Sequence, residues 1–189
     1  MPKGSAPSFV FVNHFLACTG GGILIPIFIN AIPVPLASDL YPLAIISSFL
    51  IHRYFPIVRE VLGLSKLFKA SIIVLYETTR AYVVVALTSA AAEAIPASTF
   101  SFPVFGPIIC GTIAGCGGAF LPMNKGLDPL REGLQPPMLS ALIGATVFHF
   151  FMNLELFDDV IDGKKKAHVH MAVFFISIGL VVAFKMAKN

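Results

Sequence analysis

The sequence predicts an all-α integral membrane protein of about six transmembrane helices, built as two inverted three-helix repeats with glycine-broken helices. Three observations predict it. Apolar residues make up 57% of the chain and charged residues only 12%, against about 25% charged in a soluble domain. Apolar runs near the length needed to cross hydrocarbon recur six times. Two of these runs carry glycine clusters, Gly20-Gly21-Gly22 and Gly115-Cys116-Gly117-Gly118, at corresponding places.

The runs, in order, are Phe9–Ile29, Leu40–Val61, Leu67–Ala92, Phe102–Pro122, Pro137–Asn153 and Ala167–Met186. Punctuated connectors separate them: Pro33-Val34-Pro35, Leu62-Gly63-Leu64-Ser65, Ile95-Pro96-Ala97-Ser98, Lys125 to Pro129, and Asp158-Asp159 through Asp162-Gly163. Proline and glycine at such places mark turns and helix ends. No linker is long enough for a second domain, so residues 1–189 read as one transmembrane domain. An even number of spans puts both termini on one side, together with Lys3, Arg59, Lys66, Lys69, Lys125, Arg131, Lys185 and Lys188. The other side has Lys164, Lys165 and Lys166 diluted by Glu155, Asp158, Asp159 and Asp162. That imbalance predicts both termini on the cytoplasmic or stromal side. The first run is too long for a cleavable signal peptide, and no cleavage site follows it.

A shift of 96 positions superposes Gly21 on Gly117, Gly22 on Gly118 and Pro26 on Pro122. A shift of 97 then matches His52 with His149, Lys69-Ala70 with Lys166-Ala167, and Val83–Leu87 with Leu180–Phe184. The matching unit holds three spans, so the halves, about 9–92 and 102–186, run in opposite senses through the membrane. Glycine loses the most backbone entropy on folding and fits a helix interior poorly. In hydrocarbon, glycine clusters belong where neighbours satisfy the backbone or where it lines a wet cavity. Paired breaks in inverted halves point to a midplane site in a channel or transporter.

The residues resemble the trimeric intracellular cation channel family. The resemblance rests on Gly20-Gly21-Gly22-Ile23-Leu24, on Arg59-Glu60-Val61 followed by Lys66, on Gly115-x-Gly117, and on Leu130-Arg131-Glu132-Gly133-Leu134-x-Pro136. It spans about Phe9 to Phe184 and departs from the family twice. The family's first span has no counterpart here, which agrees with the orientation set by the basic residues. A basic residue of the family's lipid-binding motif falls on Gly63. The resemblance implies a homotrimer in an intracellular membrane, endoplasmic reticulum before plastid. Each subunit would carry one pore, pinched where Gly20, Gly21 and Gly22 meet Gly115, Gly117 and Gly118. Potassium would be the transported ion, flowing as counter-charge.

Glu77 and Arg80 lie three residues apart on one face of the third span. Charges at that depth must face protein or water. They form either a mutually satisfied pair that locks packing or pore-lining and gating charges. Arg53 either snorkels to the membrane surface or lines the pore. Arg59, Glu60, Lys66 and Lys69 gather at one membrane face, as topology-setting charges or as a lipid-headgroup site. His14, His52 and His149 read as hydrogen-bonded packing residues, and Cys18, Cys110 and Cys116 as free thiols facing lipid or core. His168 and His170 point to different helix faces and make no metal site. Catalytic constellations, cofactor motifs and basic stripes for nucleic acid are not found in the sequence. Expected partners are membrane lipid and either two further copies or the helices of a larger complex. Gly106, Gly111 and Gly144 are candidates for close helix contacts in a trimer. Besides a channel, the pattern admits a non-conducting structural subunit or a secondary transporter.

Overall fold

The computed structural model describes residues 6–121, 126–131, 133–154 and 160–185, apart from the side chains of 59, 62–64 and 160–164. Every regular element among them is helical. The helices are α1 (Pro7–Phe28), α2 (Val34–Ala37), α3 (Leu40–Tyr54), α4 (Pro56–Leu64), α5 (Lys66–Ala94), α6 (Phe105–Cys116), α7 (Pro136–Asn153) and α8 (Val160–Lys185). Single 3-10 turns occupy Gly117–Ala119 and Asp128–Leu130. Among the described residues, three segments are long and apolar enough to cross a membrane: Pro7–Phe28, Lys66–Ala94 and Lys165–Lys185.

Of the other three expected spans, two differ from their sequence outlines for local reasons, and Pro137–Asn153 is matched by α7 to within one residue. Leu40–Val61 divides at Phe55 (φ −124, ψ 68), because the ring of Pro56 bars its predecessor from the α region. Phe102–Pro122 yields only a 12-residue α6. It starts after Pro103 and ends at the second glycine cluster, and Pro122 lies outside the described residues. α7 begins on Pro136 and Pro137, whose missing N–H groups are harmless in a first turn. The connectors are corrected too. The chain is helical up to Leu64, and Ser65 then caps α5, its Oγ accepting from the Phe68 N–H at 3.2 Å. Asp162 and Gly163, expected in a loop, fall inside α8. Gly163 costs a helix only about 1 kcal/mol, and the long apolar run behind it carries the helix.

Two apolar clusters hold the bundle. Ala81, Val84 and Val85 of α5 meet Ala145 and Phe148 of α7 and Ala167, Met171 and Phe175 of α8. Leu87 and Ala91 of α5 meet Ile25 of α1 and Cys110 and Ala114 of α6. Small residues bring these helices close, which is how packing substitutes for a weak hydrophobic drive inside a bilayer. Gly111 faces Thr88 and Ala145, Gly144 faces Met171 and Phe175, and Gly106 faces Ile95. The three glycines expected at contacts between copies are therefore occupied within one chain. α5 and α8 run antiparallel: Lys69 reaches Ala183, Glu77 faces Gly179, and Tyr82 stacks on His168. α3 contains no buried residue.

Candidate functional site

The glycine clusters meet. A side chain at Gly20 would strike the backbone of Gly117, one at Gly21 the carbonyl of Ala114, and one at Gly118 the carbonyl of Ala17. α1 and α6 thus cross antiparallel with backbone against backbone, an approach that only glycine permits. Gly22 stands apart, with Val34 as its nearest neighbour. The expectation that both clusters break their helices needs correction. α1 runs unbroken through Gly20-Gly21-Gly22 to Phe28, while α6 stops at Cys116 and tightens into the Gly117–Ala119 turn.

The difference has a cause in Arg80, the middle residue of α5. Its Nε donates to the Gly115 carbonyl at 2.8 Å. In a continuous α-helix that carbonyl would accept from the backbone four residues on. The guanidinium takes its place, so the second cluster loses its ladder and the first does not. The same group donates to Glu77 Oε2 at 3.0 Å, to Ser140 Oγ at 3.0 Å and to the Pro137 carbonyl. It also stacks 4.7 Å from the ring centroid of Phe175, which is fully buried. Arg80 and Glu77 are each 7% exposed. One side chain therefore ties α5 to α6, α7 and α8, with its charge balanced three residues away.

Beside this cluster lies a cavity of about 720 Å³, bordered by Thr19, Gly21, Gly22, Tyr76, Arg80 and Cys116 among others. Gly115, Gly117 and Gly118 also line it. Arg53 does not: it is exposed in the last turn of α3. Glu60 and Lys66 are exposed too, and the side chain of Arg59 lies outside the described residues. Lys69 is engaged, its Nζ donating to the Ala183 carbonyl at 3.5 Å and lying 5.7 Å from the Phe184 ring centroid. A cation there complements the carbonyl end of α8.

His149 is buried, its Nε2–H donating to the Pro103 carbonyl at 2.5 Å, while its repeat counterpart His52 is exposed. Cys18 is exposed, Cys110 buried and Cys116 in between. Among the described residues no three His, Cys, Asp or Glu side chains converge as metal ligands. Sequence reasoning missed Ser140, Phe175 and Gly179. Only Gly179 left a trace, as an isolated glycine inside an apolar helix, which calls for a packing reason. Here the reason is Glu77, whose Cγ lies where a Gly179 side chain would go.

Fold and site together define an all-helical, membrane-embedded protein with a polar cluster buried halfway along a spanning helix. Comparison with family models, curated proteins and solved structures finds no match for the chain.

Proposed function

We propose that this protein is a monovalent-cation channel of an intracellular membrane, with the endoplasmic reticulum its first candidate location and both termini cytoplasmic. Potassium is the ion, and the channel assembles as a homotrimer of inverted three-helix halves. The observation that carries the reading is the cavity at the level of Arg80, beside a helix break whose carbonyl the arginine holds. In this arrangement Arg80 is the gate. While it bonds Gly115 the path is shut, and its release frees backbone carbonyls for a cation. Glu77 keeps the cluster near neutral, so the closed gate adds little repulsion to cations approaching it.

The repeat supports the same reading. A dyad in the membrane plane brings equivalent residues together where it passes between two helices. Gly21 and Gly117, equivalent under the repeat, lie against each other. α5 and α8, another equivalent pair, pack together, with Arg80 stacked on Phe175. A second reading, a non-conducting subunit of a larger complex, is favoured by α3, whose lack of buried residues leaves a flank for partner helices.

The test is reconstitution into planar bilayers in potassium chloride, with native thiols as reporters. Cys18 and Cys116 both line the cavity, and Cys110 is buried. Discrete potassium currents are expected, blocked by a cationic thiosulfonate reagent and protected by the double variant Cys18→Ser/Cys116→Ser. Currents that the reagent never touches would remove the cavity from the path. Substrate-coupled flux without unitary steps would indicate a transporter. Silence with stoichiometric co-purification of other membrane proteins would indicate the subunit.

A further inference from the structure

α5 and α8 leave a groove of about 490 Å³ between them, and Tyr82 borders both this groove and the cavity at the glycine crossing. Its walls are two helical stripes. Lys165, His168, Val169 and Ala172 line it from α8, and Thr78 and Tyr82 line it from α5. Spacings of three, four and seven residues put the α8 set on one face, and a spacing of four does the same for the α5 pair. Both helices are long enough to span a membrane, so the groove is bathed by lipid.

Its polarity is graded along the membrane normal. Phe175 lies at the centre of the Lys165–Lys185 span. Lys165 stands ten residues away, about 15 Å at 1.5 Å per residue, which is half of the roughly 30 Å hydrocarbon core. The ammonium therefore sits at headgroup depth, and below it the lining becomes aromatic and then apolar. Lys165 is exposed and takes part in no ion pair or hydrogen bond among the described residues. Tyr82 and His168 stack at 5.7 Å between centroids and wall the middle of the groove.

We propose that this groove binds one anionic phospholipid, its phosphate on Lys165 and one acyl chain descending past Val169 toward Ala172 and Thr78. A cation above an apolar channel at that depth matches a negatively charged headgroup above a hydrocarbon tail. The site is separate from the basic cluster at Arg59, Lys66 and Lys69, which lies at the opposite end of α5, and it does not depend on the channel reading.

The protein contains no tryptophan, so Tyr82→Trp installs a single fluorophore in the groove while keeping an aromatic against His168. The full chain is reconstituted in vesicles of phosphatidylcholine with increasing brominated phosphatidylglycerol or brominated phosphatidylcholine. A basic group near an anionic surface predicts about fivefold preferential quenching by phosphatidylglycerol. Adding Lys165→Gln should bring the preference close to one. A second reporter, Phe105→Trp, sits exposed at the start of α6, on the same membrane side as Lys165, and should show no preference. Equal quenching by both lipids at the first reporter overturns the proposal. So does a preference that survives Lys165→Gln, or an equal preference at the α6 reporter, which would reflect general surface charge.

Discussion

Alanine at Gly21 is expected to lower stability by about 3 kcal/mol, while alanine at Gly22, the next residue, leaves it unchanged or slightly raised. The contrast follows from what each new methyl group meets. At Gly21 it falls on the Ala114 carbonyl, and backbone cannot rotate away, so α1 and α6 must separate. Their separation opens the second apolar cluster, where Ile25 packs on Cys110 and Ala114. At Gly22 the nearest atom is Val34 Cβ at 3.3 Å, in the short helix α2, which can shift by a few tenths of an ångström. There alanine also gains up to about 1 kcal/mol of helix propensity. Gly20, Gly117 and Gly118 belong with Gly21, and leucine at any of the four should be worse than alanine. The measurement is thermal unfolding in detergent in a Cys18→Ser/Cys116→Ser background, where a thiol-reactive dye reports exposure of buried Cys110 alone. For a chain of this size the Gly21→Ala midpoint should fall by about 6–12 °C. Matching midpoints for the two variants would show that the crossing is not a backbone contact.

That contrast also marks how much the sequence reveals. The meeting of the two glycine clusters was legible, because glycines at equivalent places in two apolar segments have few uses other than close approach. The break in only one of them was not. Both clusters have similar local propensity, and the deciding group is Arg80, far away in sequence, which takes the Gly115 carbonyl. The burial of Glu77 and Arg80 was legible from the penalty for charge in hydrocarbon. Their partners Ser140, Pro137 and Phe175 were not, because hydropathy does not tell which way a serine or an aromatic ring on another helix points. Span outlines failed where proline intervened, at Phe55-Pro56, because mean hydropathy does not register that a ring forbids the preceding residue its helical dihedral. The matched histidines His52 and His149 show a related limit. One is exposed at the end of α3 and the other holds the Pro103 carbonyl, so matching residue types across a repeat did not bring matching surroundings.

Arg80→Met is expected to be more damaging than alanine at any residue of the glycine crossing. It removes every bond the guanidinium makes and leaves Glu77 7% exposed with its charge partner gone. Breaking a buried pair in this way costs about 3–5 kcal/mol. The carbonyl of Gly115, outside a continuous helical ladder, adds the penalty of an unmet acceptor, about 1–3 kcal/mol. Arg80→Lys should lose less, since an ammonium can still neutralise Glu77 but cannot match the planar fork that reaches three helices. The double variant Glu77→Leu/Arg80→Met should fall between the two. It abolishes the lone buried carboxylate and leaves only the carbonyls unsatisfied. Detergent melting curves of the wild type, Glu77→Leu, Arg80→Met and the double variant, read as a cycle, give the coupling between Glu77 and Arg80 directly. A double variant no more stable than Arg80→Met would mean that Glu77 does not need the guanidinium for its charge. Planar-bilayer recording of Arg80→Lys adds a readout that packing alone cannot supply. A merely structural arginine predicts fewer active channels with unchanged gating. An arginine that shuts the path by holding the Gly115 carbonyl predicts a higher open probability in each channel that remains, because the weaker tether lets go more often.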